Sequence, residues 1–152
     1  MGFPRRIARA TIWHPDAIPA IEAKYARPLK GFVFPVFDLL MIVAGTRGLI
    51  VGMPAIDQLF PPPGPTIIYS VWAFMAAVCF VGAVFPRLWL LEIGGKIALF
   101  TALSIYFVAL RVASGGDDGA REVVSVMVAA ALLIPLLRLW ILGIEERARK
   151  ES

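Results

Sequence analysis

Apolar positions along the chain gather into four blocks of about 20 residues, at roughly 32–53, 66–85, 88–111 and 122–143, separated by short polar or Pro/Gly-rich connections. Each block matches the length a helix needs to cross about 30 Å of hydrocarbon. The pattern predicts an all-α integral membrane protein built as a four-helix transmembrane bundle. The second block, TIIYSVWAFMAAVCFVGAVF, carries no charge, and the apolar part of the fourth holds only Arg138. The third is less regular. Its clean run IALFTALSIYFVAL must borrow LWLLEIGGK to reach full length, so three spans plus a re-entrant or interfacial piece is the alternative architecture. Pro86 is placed to end the second span, and Pro135 should kink the fourth by removing one backbone hydrogen bond.

Composition agrees with the pattern, because 59% of the 152 residues are hydrophobic, against about 45–50% in soluble domains. The basic residues add an orientation. Residues 1–31 hold Arg5, Arg6, Arg9, Lys24, Arg27 and Lys30, the second connection holds Arg87 and Lys96, and the tail 144–152 holds Arg147, Arg149 and Lys150. The first connection has no Lys or Arg, and the third has only Arg121 with Arg111 at its edge. This asymmetry predicts cytoplasmic N and C termini in an inner membrane, and an even number of spans agrees with it. The net charge of +4 lies beside the spans, where anionic headgroups attract it, so nucleic acid is not the expected partner.

The first 30 residues contain no uninterrupted apolar run of the kind a cleavable signal needs, and MGFPRR lacks the Ser or Thr of a myristoylation signal. The arm 1–31 is predicted to be cytoplasmic and basic. Within it, PDAIPAIEAKYARPLKG can place Ile18, Ile21, Tyr25 and Leu29 on one helical face and Lys24 and Arg27 on the other, as a helix lying in the headgroup layer does. A loosely ordered arm held by charge is the plainer reading. The lone Cys79 lies inside the second span, and FPPPGP reads as a stiff outer linker.

Asp38 and Arg47, inside FDLLMIVAGTRGLIVG, are the only charges between Lys30 and Asp57, and a mid-span charge costs about 2.5–3.5 kcal/mol on insertion scales. At about 100° per residue, Asp38 falls about 20°, 80° and 40° from Gly45, Gly48 and Gly52, on one stripe with them, and Arg47 lies opposite. Gly48 to Gly52 is a GxxxG, and a glycine stripe lets another backbone come close in lipid. Matching small stripes are Ser70, Ala73 and Ala77 in the second span and Gly94, Ala98, Ala102 and Ala109 in the third. Asp38 is therefore expected in a helix interface, either paired with Arg138 at similar depth or protonated and bonded to a polar group. A clamp is one role for it, and proton or ion passage is another. Arg47, about 9 Å from the outer end of its span, can snorkel to the interface or meet a second subunit, Asp57, Asp117 or Asp118. Glu92 and Lys96 have the favourable order and spacing for a pair along one helix.

Most chemistry lacks ligands here. The only histidine, His14, precedes every span, which excludes a membrane haem held by two histidines and a histidine acid or base within the bilayer. DDGAR reads as a Gly-rich turn rather than a lipid-headgroup transferase motif. There is no TVGYG-like filter, no run of arginines as in a voltage sensor, and no inverted repeat. A non-enzyme without cofactor or metal is expected.

Four compact spans with Gly and Ala stripes in 152 residues, followed by the charged tail GIEERARKES, resemble the small membrane proteins, called holins or holin-like, of phages that infect actinobacteria. The resemblance is architectural and carries no site residue over. It implies a protein that accumulates in the inner membrane, self-associates as a homo-oligomer and opens lesions that release or activate a cell-wall hydrolase in phage lysis. A non-lytic membrane anchor or superinfection-exclusion protein, acting through a partner held by the arm, is a second reading. A small channel or carrier using Asp38 and Arg138 is a third.

Overall fold

In the computed structural model, the described residues are 11–12, 28–113 and 119–151. Among them every extended element is a helix and there is no strand. A π-helical turn, Leu29–Val33, runs without a break into α1, Phe34–Val51; a short helix α2, Pro54–Leu59, leads to α3, Gly64–Val84; a 3₁₀ turn, Pro86–Leu88, leads to α4, Trp89–Ala113; and α5 covers Gly119–Glu151. Four helical stretches have the length and apolarity to cross a membrane: Leu29–Val51, Gly64–Val84, Trp89–Ala113 and Gly119–Ile144. The third is a continuous helix of 25 residues, so the alternative with a re-entrant piece does not hold. The chain is a multi-pass helical membrane protein.

Local chemistry explains where the helices start and stop. Pro35 has no N–H for a hydrogen bond one turn back, and its ring would crowd a carbonyl there. The wider turn before it absorbs both problems, with the Phe34 N–H reaching back to Leu29 O. Gly52 ends α1 with φ +78°, a conformation that suits a residue without Cβ, and its N–H donates to Gly48 O at 2.9 Å. Pro54 then begins α2. Tyr69 of α3 fastens this turn: its hydroxyl donates to Asp57 Oδ1 at 2.9 Å and accepts from the Met53 N–H at 2.9 Å. Across the third connection, Arg121 donates to Ala113 O at 2.6 Å, satisfying a carbonyl that the end of α4 leaves open. Pro135 sits inside α5, which continues past it.

Cross-helix contacts fix the topology. A Cβ on Gly45 would meet Ala73 and one on Gly48 would meet Tyr69; Gly82 faces Glu92 and Gly95 faces Cys79. Residue numbers rise on one helix as they fall on its neighbour, so α1, α3, α4 and α5 run up, down, up and down, each packed on the next. The touch between α1 and α5 is narrow. Trp72 and Tyr106 meet edge to face at 5.8 Å in the core, and Ala55 and Ile56 of α2 are buried.

The surface is the reverse of a soluble protein's. Phe32, Ile50, Phe74, Leu90, Met127 and Trp140 are widely exposed, which suits lipid as the surrounding solvent. Thr46, Thr101 and Ser104 turn their hydroxyls onto carbonyls one turn back in their own helix, so these polar groups do not face lipid unpaired. Most of the arm's amphipathic segment, residues 15–27, lies outside the described residues, as do His14, Asp117 and Asp118; its end, from Leu29, forms the π-helical turn before α1. Nearer the start of the arm, Ile12 is buried, and its N–H donates to Val84 O at 3.0 Å, at the end of α3.

Candidate functional site: four buried charges

The most unusual feature of the bundle is a group of two acids and two bases inside it. Asp38 and Lys96 are 0% exposed, Glu92 is 2% and Arg138 is 5%. They come from α1, α4 and α5 and sit toward the end of the bundle where α1 and α4 begin. Lys96 donates to Asp38 Oδ1 in a buried ion pair. Arg138 grips Glu92 with two parallel hydrogen bonds, Nε to Oε1 at 2.5 Å and Nη2 to Oε2 at 2.8 Å. Guanidinium and carboxylate match as two forks, which gives this pair directional strength that an ammonium lacks.

Aromatic rings and glycines build the surroundings. The Lys96 ammonium lies 5.7 Å from the Phe37 ring, and the Arg138 guanidinium lies 5.1 Å from the Phe34 ring, both within cation–π reach. Phe34 and Phe37 precede Asp38 on α1, so this helix lines the cluster with one carboxylate and two ring faces. Gly82 has no Cβ because the Glu92 backbone occupies that space, 2.8 Å from where the atom would lie. Gly95 makes the same room for Cys79 Sγ. These two glycines bring α3 and α4 together around the stretch of α4 that carries Glu92 and Lys96.

The pairing corrects the sequence reading. Asp38 is engaged by Lys96, not by Arg138, and Glu92 and Lys96 turn to different helices instead of to each other. A spacing of four residues brings two side chains within reach, but each then takes the better-placed charge on a facing helix. The small-residue stripes are also partly displaced. Gly45 and Gly48 are buried, and Ala73 and Ala77 are half-buried, while Gly52 acts as a helix stop. Ser70 is exposed, and Gly94 is exposed with open space where a Cβ would be. Ala98 and Ala102 are half-buried and Ala109 is buried.

The principal buried face of α4 instead carries Glu92, Gly95, Lys96, Leu99 and Leu103, and that of α3 carries Tyr69, Trp72, Ala76, Cys79 and Ala83. Both read i, i+3, i+7 from a large or charged residue, so a search restricted to small residues passes over them. The signal available in the sequence was that Glu92, Gly95, Lys96 and Leu99 share one face.

Arg47 is exposed on the side of α1 away from the glycines, about 6 Å from the end of that helix by its rise. It makes no hydrogen bond or ion pair with any described residue. Chemically, the cluster is charge-neutral and closed. Among the described residues no three His, Cys, Asp or Glu side chains come together as a metal-ligand set. No protein-family model, curated protein or solved structure matches this chain.

Proposed function

We propose that this protein is a holin-like inner-membrane protein that self-associates and permeabilises the bilayer in phage lysis, with both termini in the cytoplasm. The observation that carries the reading is the division of labour between the two sides of α1. Its glycine side and Asp38 are consumed within one copy, whereas Arg47 is presented outward from an apolar span without a partner among the described residues. A charge held at a lipid-facing surface is stabilised by reaching the headgroups or by a counter-charge on another copy. The closed ion pairs also weaken the carrier reading, since Asp38 and Arg138 each hold a partner in the interior. Permeabilisation would then come from assembly of copies. Basic segments at the cytoplasmic ends would hold anionic headgroups.

Two measurements test this. Reporter fusions after Pro65 are expected to read as external, and fusions after Arg9 and Lys150 as cytoplasmic; an external tail contradicts the orientation. On induced expression the wild type is expected to accumulate without harm and then to depolarise cells abruptly. Arg47→Ala should leave insertion and protein level unchanged while delaying or abolishing that event. High accumulation with membrane potential and growth intact removes the pore reading in favour of an anchor or exclusion protein. The docking of Ile12 on Val84 favours that second reading to one degree, because it gives the arm a fixed seat on the bundle from which to hold a partner.

A further inference from the structure

The two buried ion pairs can be re-matched without leaving any charge uncompensated. In the arrangement described, Asp38 with Lys96 joins α1 to α4, and Glu92 with Arg138 joins α4 to α5. The exchanged arrangement would pair Asp38 with Arg138, joining α1 to α5, and Glu92 with Lys96 along α4 alone. Three observations support it. The Arg138 guanidinium already lies on the ring of Phe34, one helical turn before Asp38. Asp38 Oδ2 is buried and has no hydrogen-bond partner among the described residues, so it offers an acceptor to a second donor. Glu92 and Lys96 stand four apart on the same helix face, acid first.

We propose that these four charges form a two-state latch: the described pairing ties α4 to both α1 and α5, and the exchanged pairing ties α1 to α5 and releases α4. Buried ions in a low-dielectric interior strongly resist losing their counter-charges. An exchange that ends with two pairs again avoids that loss in both end states, which is what makes a packed interior bistable. The latch does not rest on the permeabilising reading, and its test is carried out on the purified protein.

Two double variants separate the states by charge alone. Asp38→Lys/Lys96→Asp keeps both described pairs attractive and makes both exchanged pairs repulsive. Glu92→Lys/Lys96→Glu does the opposite. The native Cys79 reports on α4, because its Sγ fills the space beside Gly95 and is buried in the α3–α4 contact. Both variants carry an acid at position 96, so a difference between them does not come from the sign of the charge there. In detergent micelles, with N-ethylmaleimide as the probe, Cys79 should react at least tenfold faster in Glu92→Lys/Lys96→Glu than in Asp38→Lys/Lys96→Asp, with wild type in between. Both variants should be recovered folded, with cooperative thermal unfolding. Failure of Glu92→Lys/Lys96→Glu to fold overturns the latch. So does equal reactivity of the two variants, or a wild-type rate no faster than that of Asp38→Lys/Lys96→Asp.

Discussion

Asp38→Leu is expected to destabilise the bundle by about 3–5 kcal/mol, the cost of leaving one member of a buried ion pair without its partner. The stranded group is Lys96, which is fully buried. Adding Lys96→Leu should therefore recover most of the loss, because Glu92 and Arg138 keep their own bidentate pair. Adding Arg138→Leu instead leaves Glu92 and Lys96, which can compensate each other only by turning along α4; recovery should be partial. Adding Glu92→Leu is the worst combination, since Lys96 and Arg138 remain as two buried cations. Unfolding in mixed micelles, followed by tryptophan fluorescence, gives the order directly. A double variant with Arg138→Leu more stable than the one with Lys96→Leu would contradict the pairing.

Glycines at the helix contacts give the second large effect. A Cβ at Gly45 would lie 2.7 Å from the backbone nitrogen and 2.9 Å from the Cα of Ala73, and one at Gly82 would lie 2.8 Å from the backbone nitrogen of Glu92. Backbone atoms do not move aside as a flexible side chain does, so the helices must separate. Gly45→Ala and Gly82→Ala should each cost about 3 kcal/mol, the upper part of the range for overpacking. At Gly82 the shift would also carry Glu92 away from Arg138. Gly94→Ala, with nothing within 4 Å, should change stability by no more than about 1 kcal/mol, the difference in helix propensity. Gly48 is an intermediate case, because its neighbours are the Tyr69 ring and the flexible end of Met53. The same micelle assay distinguishes these outcomes. Equal tolerance at Gly45 and Gly94 would mean that α1 and α3 are not in close contact.

These two predictions meet at α4, where the sequence was hardest to read. Its charges were visible, and so was their spacing, but a helix with Glu92 and Lys96 near its start reads equally well as an interfacial entry with an intrahelical pair. Only the packing of Gly82 on Glu92 and Gly95 on Cys79 shows that this stretch is interior. The same uncertainty affected rotation about the helix axis. For α1 the position of Gly45 and Gly48 together with Asp38 marked one side, and those residues are buried there. For α3 and α4, small residues pointed to Ser70 and Gly94, both exposed. Trp72, Tyr69, Glu92 and Lys96 take the interior instead because they fill space or hold charge where the neighbouring glycines leave room.

The sequence by itself determined the helical class and the limits of the spans to within a few residues, while the unbroken course of α4 decided that the third is a full span. Transfer of apolar residues into hydrocarbon adds up position by position, and a helix satisfies its own backbone without help from elsewhere in the chain. The tertiary structure alone decided which charge pairs with which and which faces of α3 and α4 turn inward. In lipid the surroundings and the interior are both apolar, so hydrophobicity does not mark the buried face as it does in water. What fixes rotation and depth is the fit of one helix against another and the compensation of four charges at a single level. Those quantities belong to pairs of residues 46 or 58 positions apart, not to any one segment.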